Sequence, residues 1–248
     1  MIHTDFTAML VKTRAIVLHA FRYGETKLIV DAVTADYGRM SLIAAVSKSP
    51  RGKLKKQYFQ PLFILEIVVD LRRRPGLQPL KEARVAVPYV SVPFEPLKLS
   101  VAMFTAEFVR AATRREQLDP LTFAYIENSL RWLDGCDGSI SNFHLVFMMR
   151  LSKFLGFYPN IDDYTSGCRF DLRASCFRLD APLHADCLSP EESRGVVTLL
   201  RMNYPTMHLF KMTRAERNRM ADVILRYYQI HIPDFPELKS LAVLKELF

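Results

Sequence analysis

An α+β chain, with a small five-stranded barrel ahead of a set of helices, is what this sequence predicts, and three observations predict it. Three strand-like runs follow one another near the start: AIVL at 15–18, KLIVDAVT at 27–34 and RMSLIAAV at 39–46. They are rich in β-branched and aliphatic residues, and Tyr23-Gly24 and Tyr37-Gly38 stand between them as turn signals. FILEIVV at 63–69 and a run over 77–87 supply a fourth and a fifth strand. Beyond Pro88, Pro93 and Pro96 the period of the apolar residues changes from two to about 3.6, the helical value. This proline stretch is the expected boundary between a domain of residues 1–90 and one of residues 91–248.

The chain has 248 residues, half of them apolar, which is enough for a core without disulfide staples. Its formal net charge of +8 favours polyanionic partners. The charge is clustered. Lys48, Arg51, Lys53, Lys55 and Lys56 follow the third strand, and Arg72, Arg73 and Arg74 follow the fourth, so both clusters are expected on loops of one barrel. A five-stranded, partly open barrel that grips oligonucleotides through a strand face and flanking loops is the OB-fold. Long cationic side chains on such loops track phosphates, and Phe21, Tyr23, Tyr37, Tyr58 and Phe59 are candidates to stack on unpaired bases, although any one of them also fits the core. Arg14, Arg22, Lys27 and Arg39 lie on or beside the first three strands, and Lys27 and Arg39 are expected on the binding face.

The helices read in order. Leu97, Val101, Phe104, Phe108 and Ala112 recur one turn apart, marking an amphipathic helix over 98–115. Asp119-Pro120 starts a second, with Phe123, Ile126, Leu130 and Leu133 inward and an end before Gly135. Asn142 is placed to cap FHLVFMMRLSKFLGF, which is apolar around most of its circumference and so belongs at the centre of a bundle. Residues 160–188 are irregular and short-stranded, an inserted hairpin module. Ser189-Pro190-Glu191-Glu192 restarts a helix, Thr213 and Glu216 form a capping box opening another, and residues 237–247 supply the last.

IVLHAFRYGETKLIV, then YGRMSLIA, a basic stretch and QPLFILE resemble the amino-terminal domain of the RecO family of bacterial recombination mediators. The following order, a helical domain interrupted by a Cys-bearing insertion, is similar to that family over nearly the whole chain. The resemblance implies binding to single- and double-stranded DNA, annealing of complementary strands and help in loading recombinase on coated single strands. The implied partners are RecR, the single-stranded-DNA-binding protein and, indirectly, RecA. That second partner's acidic tail, with its apolar last residue and free carboxylate, needs an apolar pocket rimmed by cations. Arg110, Arg114, Arg115 and Arg131, beside Phe108, Phe123 and Trp132, are the candidates.

Many members of the family carry zinc in the insertion on two cysteine pairs. Here Cys168, Cys176 and Cys187 are widely spaced and no C-x-x-C occurs, so the insertion reads as a degenerate zinc-ribbon module without metal or other cofactor. Packing by Phe170, Leu172, Phe177, Leu179 and Leu183 is expected in its place, and a site made of Cys168, Cys176, Cys187 and His184 is the alternative. Adjacent Asp162 and Asp163 lack a third acidic partner at a catalytic spacing, no histidine pairs with a nucleophile, and no phosphate loop exists. The expectation is a cytoplasmic, nucleoid-associated protein that is not an enzyme and does not enter a membrane. An RNA-binding barrel and a protein-interaction scaffold with incidental charge fit the same residues.

Overall fold

The computed structural model describes residues 9–46, 54–72, 76–114 and 119–248. Five strands, β1 (Met9–Tyr23), β2 (Lys27–Thr34), β3 (Gly38–Ala45), β4 (Ile64–Leu71) and β5 (Gln78–Val87), close a barrel in the order β1-β2-β3-β5-β4. Neighbours are antiparallel except β3 and β5, which pair in parallel over three residues and complete the closure. β1 is much longer than its aliphatic stretch 15–18. Its first half pairs with β4 and its second with β2, with a register shift between Val17 and His19. A strand that serves two partners runs past its own apolar stretch, and Lys12, Thr13 and Arg14 on one side and His19 and Arg22 on the other concealed this in the sequence. Both turn signals hold: Gly24 and Gly38 have φ of +71° and +62°, a region that costs an L side chain energy.

Alternation divides the barrel cleanly. Leu28, Val30 and Ala32 of β2 and Met40, Leu42 and Ala44 of β3 point into the core, with Val11, Ala15 and Val17 of β1. The stretch after β3 is not simply a loop: Lys56–Phe59 is a 3₁₀ helix. Leu54, just before it, and Phe59, its last residue, are buried in the barrel core, so Phe59 is packing and not a stacking platform.

The described chain forms two compact units, one of residues up to Phe94 with Ala102–Arg131 and the other of Glu95–Val101 with Trp132–Phe248. By compaction most of α1 (Pro96–Ala112) and α2 (Pro120–Gly135) group with the barrel, across the proline stretch near residue 90. Val101, Phe104, Phe108 and Ala112 are buried as their spacing predicts, but Leu97 is exposed. Asp119 caps α2, its Oδ1 accepting from Thr122 N at 2.7 Å.

In the second unit α3 (Phe143–Phe154) buries nine of its twelve residues and packs against α4 (Pro190–Arg201) and α5 (Arg214–His231). Ser189 with Glu192 and Thr213 with Glu216 form the two capping boxes. Asn142 departs from expectation. It stands at the start of α3 without capping it, and its amide donates to Met207 O and Phe210 O while Oδ1 accepts from buried Arg217. A short α6 (Ser240–Leu247) ends the chain.

The insertion is a hairpin of β6 (Arg169–Asp171) and β7 (Cys176–Arg178). Phe170, Leu172 and Phe177 are buried as expected, whereas Leu179 and Leu183 are fully or largely exposed and hold nothing together. Polar bonds replace them. Asp171 Oδ1 accepts from the Arg173 and Ala174 amides, closing the turn, and Asp186 joins Arg173 to Arg226 of α5. Tyr227 Oη donates to Phe157 O and is hydrogen-bonded to Ser175 Oγ, a second tie from hairpin to helix. The cysteines are free thiols, burial raises the Cys187 pKa, and among the described residues no three His, Cys, Asp or Glu side chains converge as metal ligands. Asp162 lies in a turn held by Asn160.

Candidate nucleic-acid interface

The outward faces of β1, β2 and β3 carry the candidate site. Because side chains alternate, the residues between the core positions of β2 point outward: Lys27, Ile29, Asp31 and Val33. Register sets their neighbours. Tyr23 lies opposite Lys27, Phe21 opposite Ile29 and His19 opposite Asp31 on β1, while Ser41 faces Asp31 and Arg39 faces Val33 on β3. One row therefore holds Tyr23, Phe21 and His19, with the Phe21 and His19 rings 5.8 Å apart. Phe21 and Tyr23 are 45% and 54% exposed, unusual for large rings on a rigid strand and suited to stacking on bases. Arg22 pairs with core-facing Leu28 and leaves from the other face.

Further along, outward Ile16, Leu18 and Val33 are buried, as a covered surface is, and contacts from this face reach α1 and α2. Arg14 donates to Glu127 Oε1 at 2.8 Å and lies over the Phe123 ring. Arg39 donates to Arg110 O at 2.7 Å, satisfying a carbonyl in the last turn of α1 that has no helical partner. Asp31 stands between them: its Oδ2 is 3.7 Å from Arg39 Nη2 and 3.4 Å from Arg110 Nε, and its Oδ1 accepts from Ser41 Oγ at 3.0 Å. Burial lowers the Arg39 pKa, Asp31 opposes that and Arg110 and Arg114 add to it, but a guanidinium starts so high that it stays charged. Burial, then Arg110, lowers the His19 pKa, with Asp31 opposing.

The structure brings some expected residues together and separates others. Lys27 is exposed on the stacking row, and Arg39 shares its face but is held in intramolecular contacts. Lys56 and Arg72 are exposed and Lys55 is half-buried. Lys48, Arg51, Lys53, Arg73, Arg74 and Arg115 lie outside the described residues. Of the arginines expected at a tail pocket, Arg110 and Arg114 sit at the end of α1 near Arg39, and Arg131 binds Glu127 one turn away on α2. Phe108 and Phe123 are only 0% and 1% exposed, and Trp132 is stacked on Phe143 and Tyr204, so these rings do not line an open pocket. Sequence reasoning missed Asp31 and His19. The signal for Asp31 was present, a lone acid inside the aliphatic run KLIVDAVT.

Comparison with known proteins agrees with this architecture. Residues 9–89 match the family model described as Recombination protein O N terminal, and residues 93–242 match Recombination protein O C terminal. The chain is 50% identical over 240 residues to the DNA repair protein RecO of Phocaeicola vulgatus, covering 97% of this chain and all of that one. The RecO of Bacteroides fragilis is 47% identical over 241 residues and that of Porphyromonas gingivalis 31% over 245, each again covering 97% of this chain and all of the relative. With its two family models in sequence and full-length relatives at this identity, the chain belongs to the RecO family of DNA repair proteins.

Proposed function

We propose that this chain is a non-enzymatic mediator of recombinational repair, which binds single- and double-stranded DNA, anneals complementary strands and helps load a recombinase on coated single strands. The observation that carries the reading is the exposed row of Tyr23, Phe21 and Lys27 on the outer face of a closed five-stranded barrel, in a chain of the RecO family. Rings stack on unpaired bases whatever their sequence, and cations beside them meet the backbone. In this reading Lys55, Lys56 and Arg72 add phosphate contacts, and Lys48, Arg51, Lys53, Arg73 and Arg74, their neighbours in sequence, are proposed to do the same. Mechanistically no bond is made or broken. Cations screen the phosphate repulsion between two strands held close together, and this lowers the barrier to pairing.

The partners in this reading are RecR, the acidic tail of the single-stranded-DNA-binding protein and, through them, RecA. An annealing assay with complementary oligonucleotides, naked and coated, tests it. Faster pairing than in buffer, with affinity that falls steeply with salt, is expected. Replacing Lys55 and Lys56 by alanine flattens the log-log salt slope by about 1.4, at roughly 0.7 per lost single-strand contact. Preference for matched RNA over DNA would move the protein to RNA binding, and salt-insensitive or absent affinity for both would leave only a scaffold.

A further inference from the structure

We infer that Arg39, Arg110 and Arg114 form a phosphodiester-binding subsite, so that a single strand stacked on Tyr23 and Phe21 runs on past His19 to the last turn of α1. The inference rests on the reading that this barrel binds DNA and moves Arg110 and Arg114 from partner contact to backbone contact.

Four observations carry it. The cluster is rich in positive charge: Asp31 is a single carboxylate in ion pairs with both Arg39 and Arg110, and Arg114 is a further guanidinium acting on Arg39. It is also built: Asp31 Oδ2 lies 3.4 Å from Arg110 and 3.7 Å from Arg39, and Arg39 is fastened to Arg110 O, so two of the three arginines are held in place before any ligand arrives. Holding side chains in their bound geometry removes an ordering cost from binding. Arg110 remains 45% exposed in its side chain and Arg114 is exposed, which leaves donors for an anion.

The cluster is also in line with the rings. His19 is opposite Asp31 in the β1–β2 register and follows Phe21 on the same face, so aromatic surface leads directly to cationic surface. A strand of nucleic acid needs that sequence of groups, bases on rings and phosphates on cations. Finally, an acidic peptide with an apolar last residue needs a pocket, and the neighbouring Phe108 and Phe123 are buried and offer none.

The test uses the full chain with a labelled thymidine oligonucleotide titrated at several salt concentrations. Arg110→Gln with Arg114→Gln should weaken binding several-fold at low salt and reduce the log-log salt slope by about 1.4, two contacts at roughly 0.7 each. The double change to lysine should keep most of the slope. Because Arg110 touches Asp31, Arg114→Glu alone serves as the variant least able to disturb folding, and it should weaken binding with an unchanged thermal midpoint. Wild-type protein with no salt-dependent affinity would overturn the DNA reading itself. Wild-type binding with an unaltered slope in both the double variant and Arg114→Glu would overturn this subsite alone. A labelled acidic peptide ending in phenylalanine gives the third arm: loss of peptide binding with DNA binding intact would hand the cluster to a protein tail.

Discussion

Asp31 on the barrel and Asp186 in the inserted hairpin are each held by two arginines, yet the charge around them is balanced differently. Asp186 takes Arg173 at 2.8 Å and Arg226 at 2.7 Å, and both lower its pKa, Arg226 the more. Beside it Arg178 joins Asp171 to Asp180, so three arginines of this set meet three carboxylates. Such a set has no surplus to offer. It ties a short hairpin to α5, and it draws its strength from bond geometry. Around Asp31 one carboxylate serves two arginines, Arg114 adds a further cation near Arg39, and the surplus lies on the face that carries the exposed rings. The comparison teaches that an ion pair's function is read from the charge left over after pairing, not from the pairing.

The largest effect that would break this contrast lies on the barrel. Changing Phe21 and Tyr23 together to alanine should weaken single-stranded DNA binding by about 2–4 kcal/mol, on the scale of ~1–3 per stacked base, and leave stability almost unchanged because both rings are exposed. Fluorescence anisotropy measures it, and unaltered affinity would remove the rings from the interface.

The insertion should behave in the opposite way. Asp186→Asn should lower unfolding free energy by roughly 2 kcal/mol, less than for a fully buried pair because both arginines are more than half exposed, with DNA affinity unchanged. Urea denaturation beside a binding titration reads both, and a DNA defect at full stability would erase the distinction.

Acid sharpens the comparison from the second unit. His144 is fully buried, and desolvation, followed by Arg217, lowers its pKa from 6.5 to about 3. The unfolded chain then binds a proton that the folded chain refuses, so stability is complete above pH 6.5 and declines as pH falls toward about 3. At pH 5 the loss is about 2 kcal/mol, at ~1.36 per pH unit. His144→Gln should remove most of that slope; an equal slope in wild type and variant would assign it to other groups.

The smallest effect concerns packing alone. A Cβ at Gly195 would stand 2.6 Å from Met220 Sδ, so Gly195→Ala must push that flexible side chain aside. Crowding of ~1–3 kcal/mol less the ~1 gained in helix propensity leaves a net cost of about 1, again without effect on DNA. A thermal midpoint raised instead would show that Met220 repacks freely.

Sequence by itself determined the local features of this protein. β2 spans the residues that alternation marks, both capping boxes form where Ser189 and Thr213 precede their glutamates, and Asp119 caps α2. Each depends on groups a few residues apart, so the chain carries the whole cause within one window. The family, too, was legible in the sequence, because its pattern is spread over the full length. Tertiary structure alone decided what covers each face. Alternation sends Arg39 outward, but only folding brings it to Arg110, 71 residues away, and divides that arginine between a carbonyl and Asp31. Helical spacing placed Phe108 and Phe123 inward without revealing how completely the fold buries them. Asn142 sits where a cap belongs, yet carbonyls more than sixty residues away and Arg217 compete for its side chain and win. A polar side chain has a few donors and acceptors, and burial lets distant partners claim them wherever the fold brings those partners within reach.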